Sequence, residues 1–410
     1  MKRVLLIHNY YQQSGGEDKV VAQEAELLRS RGIEVQIYSV HNDDLKNQGT
    51  AGKVKTALSA AWSPSAYKKI KQQLLDMKPD VVHVHNFFPL ISPSVYYACN
   101  RMGVPVVQTL HNYRLLCPAA TFLRDGSVCE KCLHGSLIHS VINGCYRGSK
   151  VETLPVVSMI AMNQLLGTWN NKVDRYIALT EFSRNKFVEG GIPAERITVK
   201  PNFISTVAHS TVPETGAGKY MLYVGRISAE KGVKNLLKAW SGLANKDCTE
   251  LLVVGDGPEK EKLEDQYSGG SIHFLGNQPG EKVLELMSEA RYLVVPSIWY
   301  EGFPMTIVEA YSVGTPVLCS RIGSLQEIVP EGVTGFQFAH DDIGNMASVL
   351  RQALDYEEYP RLRETVKERF NALYTEEANF IALSQIYDEV VKEKDNENRF
   401  ALQYGENYKL

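Results

Sequence analysis

The chain opens on a short apolar run, Arg-Val-Leu-Leu-Ile at positions 3–7, bounded by polar residues. A Ser-Gly-Gly loop at 14–16 follows. Beyond it, apolar positions 20, 21, 25, 27 and 28 recur at helical spacing as far as Gly32. Residues 33–40, Ile-Glu-Val-Gln-Ile-Tyr-Ser-Val, alternate with the period of a strand. These three pieces predict a β-α-β unit. The same order returns far downstream: a strand at 219–225 (KYMLYVG), a loop at 226–232, a helix at 233–243 (VKNLLKAWSGL), and a strand at 249–258 that runs into a Gly-Pro turn. Further apolar runs at 80–85, 105–111 and 175–180, then at 271–276, 291–297 and 315–320, continue the alternation in each half. Strands that alternate with helices form parallel sheets covered on both faces. The expected class is α/β, with two doubly wound domains.

A length of 410 residues exceeds one ordinary core. The boundary falls near 200–218, where the strand and turn ITVKPNFI give way to a linker of small residues. Domains are therefore expected over 1–205 and 215–375, with a C-terminal helix and tail over 376–410. The helix is legible over 376–394 and can dock on either half; from 395 onward there is little pattern. The net charge of −3 argues against a nucleic-acid binder. No run of eighteen apolar residues occurs, so no membrane-spanning helix is expected. The N-terminal run is too short for a signal peptide and reads as a buried first strand. A cytoplasmic location follows as the expectation, with the seven cysteines as thiols or metal ligands rather than a disulfide framework.

In open parallel sheets, ligands sit outside the carboxyl ends of the strands, so the loops there are where chemistry is sought. Arg226 directly follows the strand at 219–225, and Lys231 lies five residues on. A forked guanidinium and an ammonium suit a diphosphate, although two basic residues in a loop are as often merely solvated. The stretch YEGFPMTIVEA at 300–310 opens a helix after the run 291–297. Gly302 and Pro304 set its turn, with Pro suited to the first helical position. The N–H groups near Phe303, Met305 and Thr306 make a place for an anion. Glu301 and Glu309 stand eight residues apart, a little over two turns. Carboxylates accept hydrogen bonds from vicinal hydroxyls, which suits a sugar. Either Glu alone reads as structural, because an acidic residue beside a helix N-terminus is favourable without a ligand. In the first half, Gly15 and Gly16 leave backbone open to close approach. His111 closes the run 105–111, and His85, followed by Asn86, closes 80–85.

The succession VGRISAEKG, GDGP and EGFPMTIVEA, each at a strand end, resembles the family 4 glycosyltransferases of the GT-B fold. The E-x7-E motif of that family matches Glu301 and Glu309, and its basic positions match Arg226 and Lys231. The likeness runs from the Gly-Gly loop to about residue 375. It implies two Rossmann-like domains facing a cleft. It also implies that Arg226 and Lys231 neutralise a donor diphosphate and that Glu309 binds the nucleotide ribose. Glu301, with the backbone of Gly302, Phe303, Pro304, Met305 and Thr306, would hold the transferred sugar and the phosphates. The loop 276–279 would pass the base, and GDGP at 255–258 would line the same pocket, although a tight turn alone explains its glycines. In the first half the likeness places Gly15 and Gly16 against the diphosphate and His111 beside the donor sugar; His85 and Asn86 are lesser acceptor-side candidates. The implied reaction is transfer with retained anomeric configuration, with Arg226, Lys231 and helix N–H groups stabilising the leaving charge, His111 as a transition-state or acceptor contact, and Glu301 as the further catalytic candidate. No D-x-D occurs in the chain, which fits a GT-B enzyme that needs no divalent ion. The implied donor is a UDP- or GDP-sugar, and the implied acceptor a glycan or lipid-linked glycan in surface-polysaccharide assembly.

Cys117, Cys129, Cys132 and Cys145 have gaps of eleven, two and twelve residues, within an expected insertion at about 112–150. The C-x2-C pair has zinc spacing, which makes a structural zinc one reading and four reduced thiols the other. Cys99, Cys248 and Cys319 read as buried small residues. The segment 65–78 carries Lys68, Lys69, Lys71 and Lys78 among apolar residues. It suits an ordinary surface helix or peripheral contact with an anionic bilayer, which would place the protein at the inner face of the cell membrane. Two other readings compete: a GT-B sugar-nucleotide epimerase, needing no acceptor, and an inactive scaffold, which would be expected to have lost the donor motif.

Overall fold

The computed structural model describes the chain except for residues 13–14, 46–48, 206–217, 219, 244–248 and 405–410. Ser14, Cys248 and most of the expected linker therefore lie outside the described residues. The strands are β1 (Arg3–Tyr10), β2 (Glu34–His41), β3 (Val81–Asn86), β4 (Val106–Leu110), a short hairpin β5 (Leu123–Arg124) and β6 (Ser127–Val128), β7 (Arg175–Ala178), β8 (Ile197–Val199), β9 (Tyr220–Val224), β10 (Glu250–Val254), β11 (Ile272–Gly276), β12 (Tyr292–Val295), β13 (Val317–Ser320) and β14 (Gly335–Phe338).

The chain divides into two compact units. One comprises Met1–Ala120, Glu130–Lys200 and Asn379–Leu410; the other comprises Thr121–Cys129 and Pro201–Ala378. Each is built on a six-stranded parallel sheet. The orders are β2-β1-β3-β4-β7-β8 and β11-β10-β9-β12-β13-β14. The expected insertion at 112–150, read as part of the first domain, is assigned to that unit except for residues 121–129. Its hairpin groups with the second unit, where Phe122 meets the Tyr300 ring and Val128 packs on the apolar core. The helices Ile138–Ile142 and Lys150–Leu165 belong to the first unit.

Burial on both faces explains why the strands read as nearly continuous apolar runs. Along β9, Tyr220 and Leu222 point into one core while Met221 and Tyr223 point into the other. In the first unit, Val4 and Leu6 of β1 and Val81 of β3 share a core with the C-terminal helix. That helix, Glu376–Tyr404, runs ten residues beyond the segment legible in sequence. It lays Leu383, Ile386, Tyr387 and Val390 onto the first unit, a spacing of three, four and seven that puts all four on one stripe. Among the described residues, no helix is long and apolar enough to cross a membrane.

Leu383 is fully buried in this contact. Leu383→Ala is expected to destabilise the protein by about 2–5 kcal/mol through lost transfer energy and an unfilled cavity. Urea unfolding checks this; a loss below about 0.5 kcal/mol would show that the helix contributes little to the first unit.

Candidate active site

In the second unit, β9 lies between β10 and β12, so the loops after these three strands gather at one edge. The loop after β9 carries Arg226 and Lys231. It is held by the Tyr223 hydroxyl, which donates to the Arg226 carbonyl at 2.7 Å, and by the Ile227 N–H, which donates to the Asp256 carbonyl at 2.8 Å. The Ile298 N–H donates to the Glu230 carbonyl at 3.0 Å and ties this loop to the one after β12. There the Lys231 ammonium meets Glu301 Oε1 at 2.7 Å and stands 5.4 Å from the centre of the Trp299 ring. Glu301 is only 5% exposed, and its Oε1 also accepts from the Ser297 hydroxyl at 2.6 Å. Arg226 is exposed. The structure therefore brings Lys231 and Glu301 into direct contact, with Arg226 on the same loop.

The helix Met305–Ser312 starts one residue later than expected, with Pro304 at its N-cap. Gly302, Phe303, Met305 and Thr306 are half-buried around its first turn, where N–H groups lack intrahelical partners. Glu309 is half-buried on this helix. The glycines of GDGP have a local explanation: a Cβ at Gly255 would lie 1.9 Å from the Gly225 carbonyl oxygen, and one at Gly257 2.3 Å from that of Ile227. Here the close approach of two loops requires glycine.

In the first unit, Gly15 caps the helix Gly16–Ser30 with an extended backbone, φ −115°. Among the described residues a Cβ there would meet nothing within 4 Å, so neither backbone conformation nor their packing requires a glycine at this position. Gly16 is the first residue of the helix. The Gly15 N–H donates to Asp18 Oδ2 at 2.9 Å, and Asp18 Oδ1 faces His8 Nε2 at 2.7 Å, which ties the loop to β1. His111 directly follows β4 and is partly exposed; its Nε2 lies 3.0 Å from Nδ1 of the buried His85. Burial, and next the His85 ring, hold the His111 pKa well below the ordinary imidazole value, so the ring is neutral near pH 7. Asn86 is engaged locally, donating to the Asn9 carbonyl at 2.7 Å and accepting from the Phe88 N–H at 3.0 Å.

Of the four cysteines, Cys129 falls in the second unit and the other three in the first. Cys117 is buried, and the rest are half-buried. Among the described residues, the groups of three or more ligand atoms within 4.8 Å of one another are Glu24–His83–His85 and Glu130–His134–Glu189, and neither includes a cysteine.

The sequence reading passed over several charged residues. Glu24 and Lys200 are each 1% exposed and pair at 2.9 Å. Glu17, in the first helical turn, is half-buried; its Oε2 stands 3.5 Å from Asn112 Nδ2, and its Oε1 is buried with no hydrogen-bond partner among the described residues. The available signal was a pair of acidic residues directly after the glycines and a lysine closing an apolar run in ITVKPN. Neither pattern distinguishes a buried charge from a solvated one.

Comparison with known proteins agrees with this geometry. Residues 14–207 match the family model Glycosyltransferase Family 4, and residues 209–369 match Glycosyl transferases group 1. A phosphatidyl-myo-inositol mannosyltransferase of Mycobacterium leprae is 24% identical over 353 residues, 82% of this chain and 83% of that protein. A glycogen synthase of Mycobacterium tuberculosis is 28% identical over 288 residues, 68% of this chain but only 61% of that protein. Among solved structures, sucrose-phosphate synthase from Thermosynechococcus elongatus superposes with a TM-score of 0.68 at 19% identity, covering 96% of this chain and 100% of that one. Anabaena Alr3699/HepE in complex with UDP gives 0.66 at 18% identity, covering 95% and 100%. These structures are similar in fold.

Burial, and then the adjacent Asp18, push the Glu17 carboxyl up to about 8 from 4.5. Between those values the folded chain keeps a proton that the unfolded chain has lost, so stability falls as pH rises through this window. Glu17→Gln is expected to remove that slope. Urea unfolding at about pH 5 and about pH 8 should show the variant gaining on wild type at the higher pH; an unchanged difference between the two would contradict the assignment.

Proposed function

The chain belongs to the family 4 glycosyltransferases of the GT-B fold, and from that membership we propose that it moves a hexose-type sugar from a UDP- or GDP-sugar to a glycan or lipid-linked acceptor, with retention of anomeric configuration, in surface-polysaccharide assembly. The observation that carries this reading is the joined pair of loops in the second unit. Lys231 and Glu301 meet at 2.7 Å where the loops after β9 and β12 come together, and Arg226 is exposed on the same loop as Lys231. A pair of cations at a strand end, next to a helix N-terminus, is suited to a nucleoside diphosphate.

In this reading Lys231 and Arg226 take the charge of the departing diphosphate, aided by the first N–H groups of the helix Met305–Ser312. Lys231 is already held by Glu301 before reaction, so little reorganisation of that cation opposes the step. Glu301, already ionically paired and hydrogen-bonded, keeps an oxygen for a sugar hydroxyl, and Glu309 serves the ribose. Gly15 fits close approach of the donor, because no described residue beyond its chain neighbours lies within 4 Å of where its Cβ would stand. His111 offers a neutral ring to the sugar. The similarity to HepE, solved with UDP, supports a uridine donor, and the mannosyltransferase of a phosphatidylinositol supports a lipid-linked acceptor. Lys68, Lys69 and Lys78 are exposed on or just after the helix Pro64–Met77, which supports peripheral contact with the inner face of an anionic membrane.

Thermal unfolding with UDP, GDP, ADP and CMP tests the donor site. One diphosphate is expected to raise the wild-type midpoint by mass action, with about 2.7 kcal/mol of stabilisation at a hundred times its Kd. Arg226→Ala is expected to weaken that ligand by about tenfold or more. Stabilisation by no nucleotide and no nucleotide sugar would overturn the proposal. With a donor in hand, product analysis separates transfer from epimerisation: a new glycosidic bond is expected, and a free isomeric sugar nucleotide is not.

A further inference from the structure

Within the first unit a chain of ionisable side chains leads through buried residues to the partly exposed His111. It starts at the Lys200 ammonium, 2.9 Å from Glu24 Oε1. The other oxygen of that carboxylate, Oε2, stands 3.3 Å from His85 Nε2. His85 Nδ1 in turn stands 3.0 Å from His111 Nε2, and the two rings lie 22° from coplanar with centroids 5.3 Å apart, the arrangement of an in-plane N–H···N bond. The neighbouring His83 is engaged elsewhere, with Nδ1 2.7 Å from the Tyr387 hydroxyl and Nε2 2.8 Å from Thr109 Oγ1. Glu24, His83 and His85 have the spacing of a metal site, but the Lys200 ammonium already supplies the positive charge that such a site would hold.

The direction of this chain follows from a count of charges. Lys200 and Glu24 cancel each other at a site where both are almost fully enclosed. A further cation on His85 would be buried without a counter-charge, which is costly. His85 Nε2 faces the Glu24 carboxylate at 3.3 Å, so a single proton on the ring belongs on Nε2 and leaves Nδ1 as an acceptor. The His111 Nε2 must then carry a hydrogen and donate it to His85. That leaves the His111 Nδ1 as a bare lone pair. His111 is partly exposed beside a small cavity lined by Tyr11, Phe88, Asn112 and Arg114.

We infer that Lys200, Glu24 and His85 are positioning residues that lock His111 as the neutral Nε2–H tautomer, so that Nδ1 is presented as an acceptor for a sugar hydroxyl. The identity of that hydroxyl rests on the glycosyltransferase reading; the tautomer does not. The choice of tautomer has a chemical consequence. A ring that accepts without charge can hold a hydroxyl near a carbon that becomes positive as the diphosphate leaves. An imidazolium would repel that carbon, and an Nδ1–H would present the wrong end of the bond.

The test is nitrogen NMR of the full chain labelled with 15N-histidine, with His111 assigned by its loss in His111→Asn. The expected spectrum near pH 7 has the His111 Nε2 protonated and Nδ1 bare. His85→Gln, which retains an acceptor oxygen, is expected to keep that state, and His85→Leu to lose it to a tautomer mixture. The paired substitution Glu24→Leu with Lys200→Met, which removes both charges together, is expected to lose it as well. A protonated Nδ1 in the wild type, a doubly protonated ring, or an unchanged spectrum in folded His85→Leu would overturn the inference. Should His85→Leu fail to fold, the wild-type spectrum and His85→Gln still decide. A UDP and GDP titration on the same sample reports separately on the donor reading.

Discussion

A right-handed crossover returns each parallel strand to the same end of its sheet, and the site in the second unit depends on that constraint. Because β9 is flanked by β10 and β12, the loops after all three must emerge side by side. Residues seventy apart in sequence, Lys231 and Glu301, then come within 2.7 Å. The loops are stitched by backbone hydrogen bonds, Ile227 to Asp256 and Ile298 to Glu230. Close backbone approach at Gly255 and Gly257 shows how tightly two of them fit.

Charge compensation is the second organising feature. Both units place charged side chains where water is scarce, and several of these groups are paired. Glu301 is shared by Lys231 and Ser297. Burial opposes ionisation of Glu24, yet Lys200 and the nearby imidazoles hold its pKa well below the carboxylate norm. Asp18 links the Gly15 loop to His8 of the first strand. Glu17 stands apart, since burial and then the adjacent Asp18 favour its protonated form. Paired charges of this kind add little net stability, but they fix the geometry of whatever they touch.

The fold was largely legible because buried parallel strands are apolar on both faces and their helices keep a 3.6-residue period. The Arg226–Lys231 loop and the Glu301–Glu309 stretch were visible because local spacing and turn chemistry carry them. What stayed hidden is long-range. Glu24 and Lys200 lie 176 residues apart, and a lysine at the end of an apolar run looks the same in sequence whether buried or solvated. The hairpin at 121–129 groups with the second unit although the chain around it belongs to the first. The docking side of the C-terminal helix is decided by a stripe ending at Val390, and its last turns continue through residues whose composition has no apolar period.

The central claim is that the strand-end loops of the second unit hold a nucleoside diphosphate through Lys231. Its most direct test is calorimetric titration of UDP and of GDP into wild type and into Lys231→Met. The account predicts saturable binding of one of them to wild type, weakened by about tenfold or more in the variant, as expected for loss of a charge-assisted hydrogen bond. Equal affinity in a folded variant would contradict it.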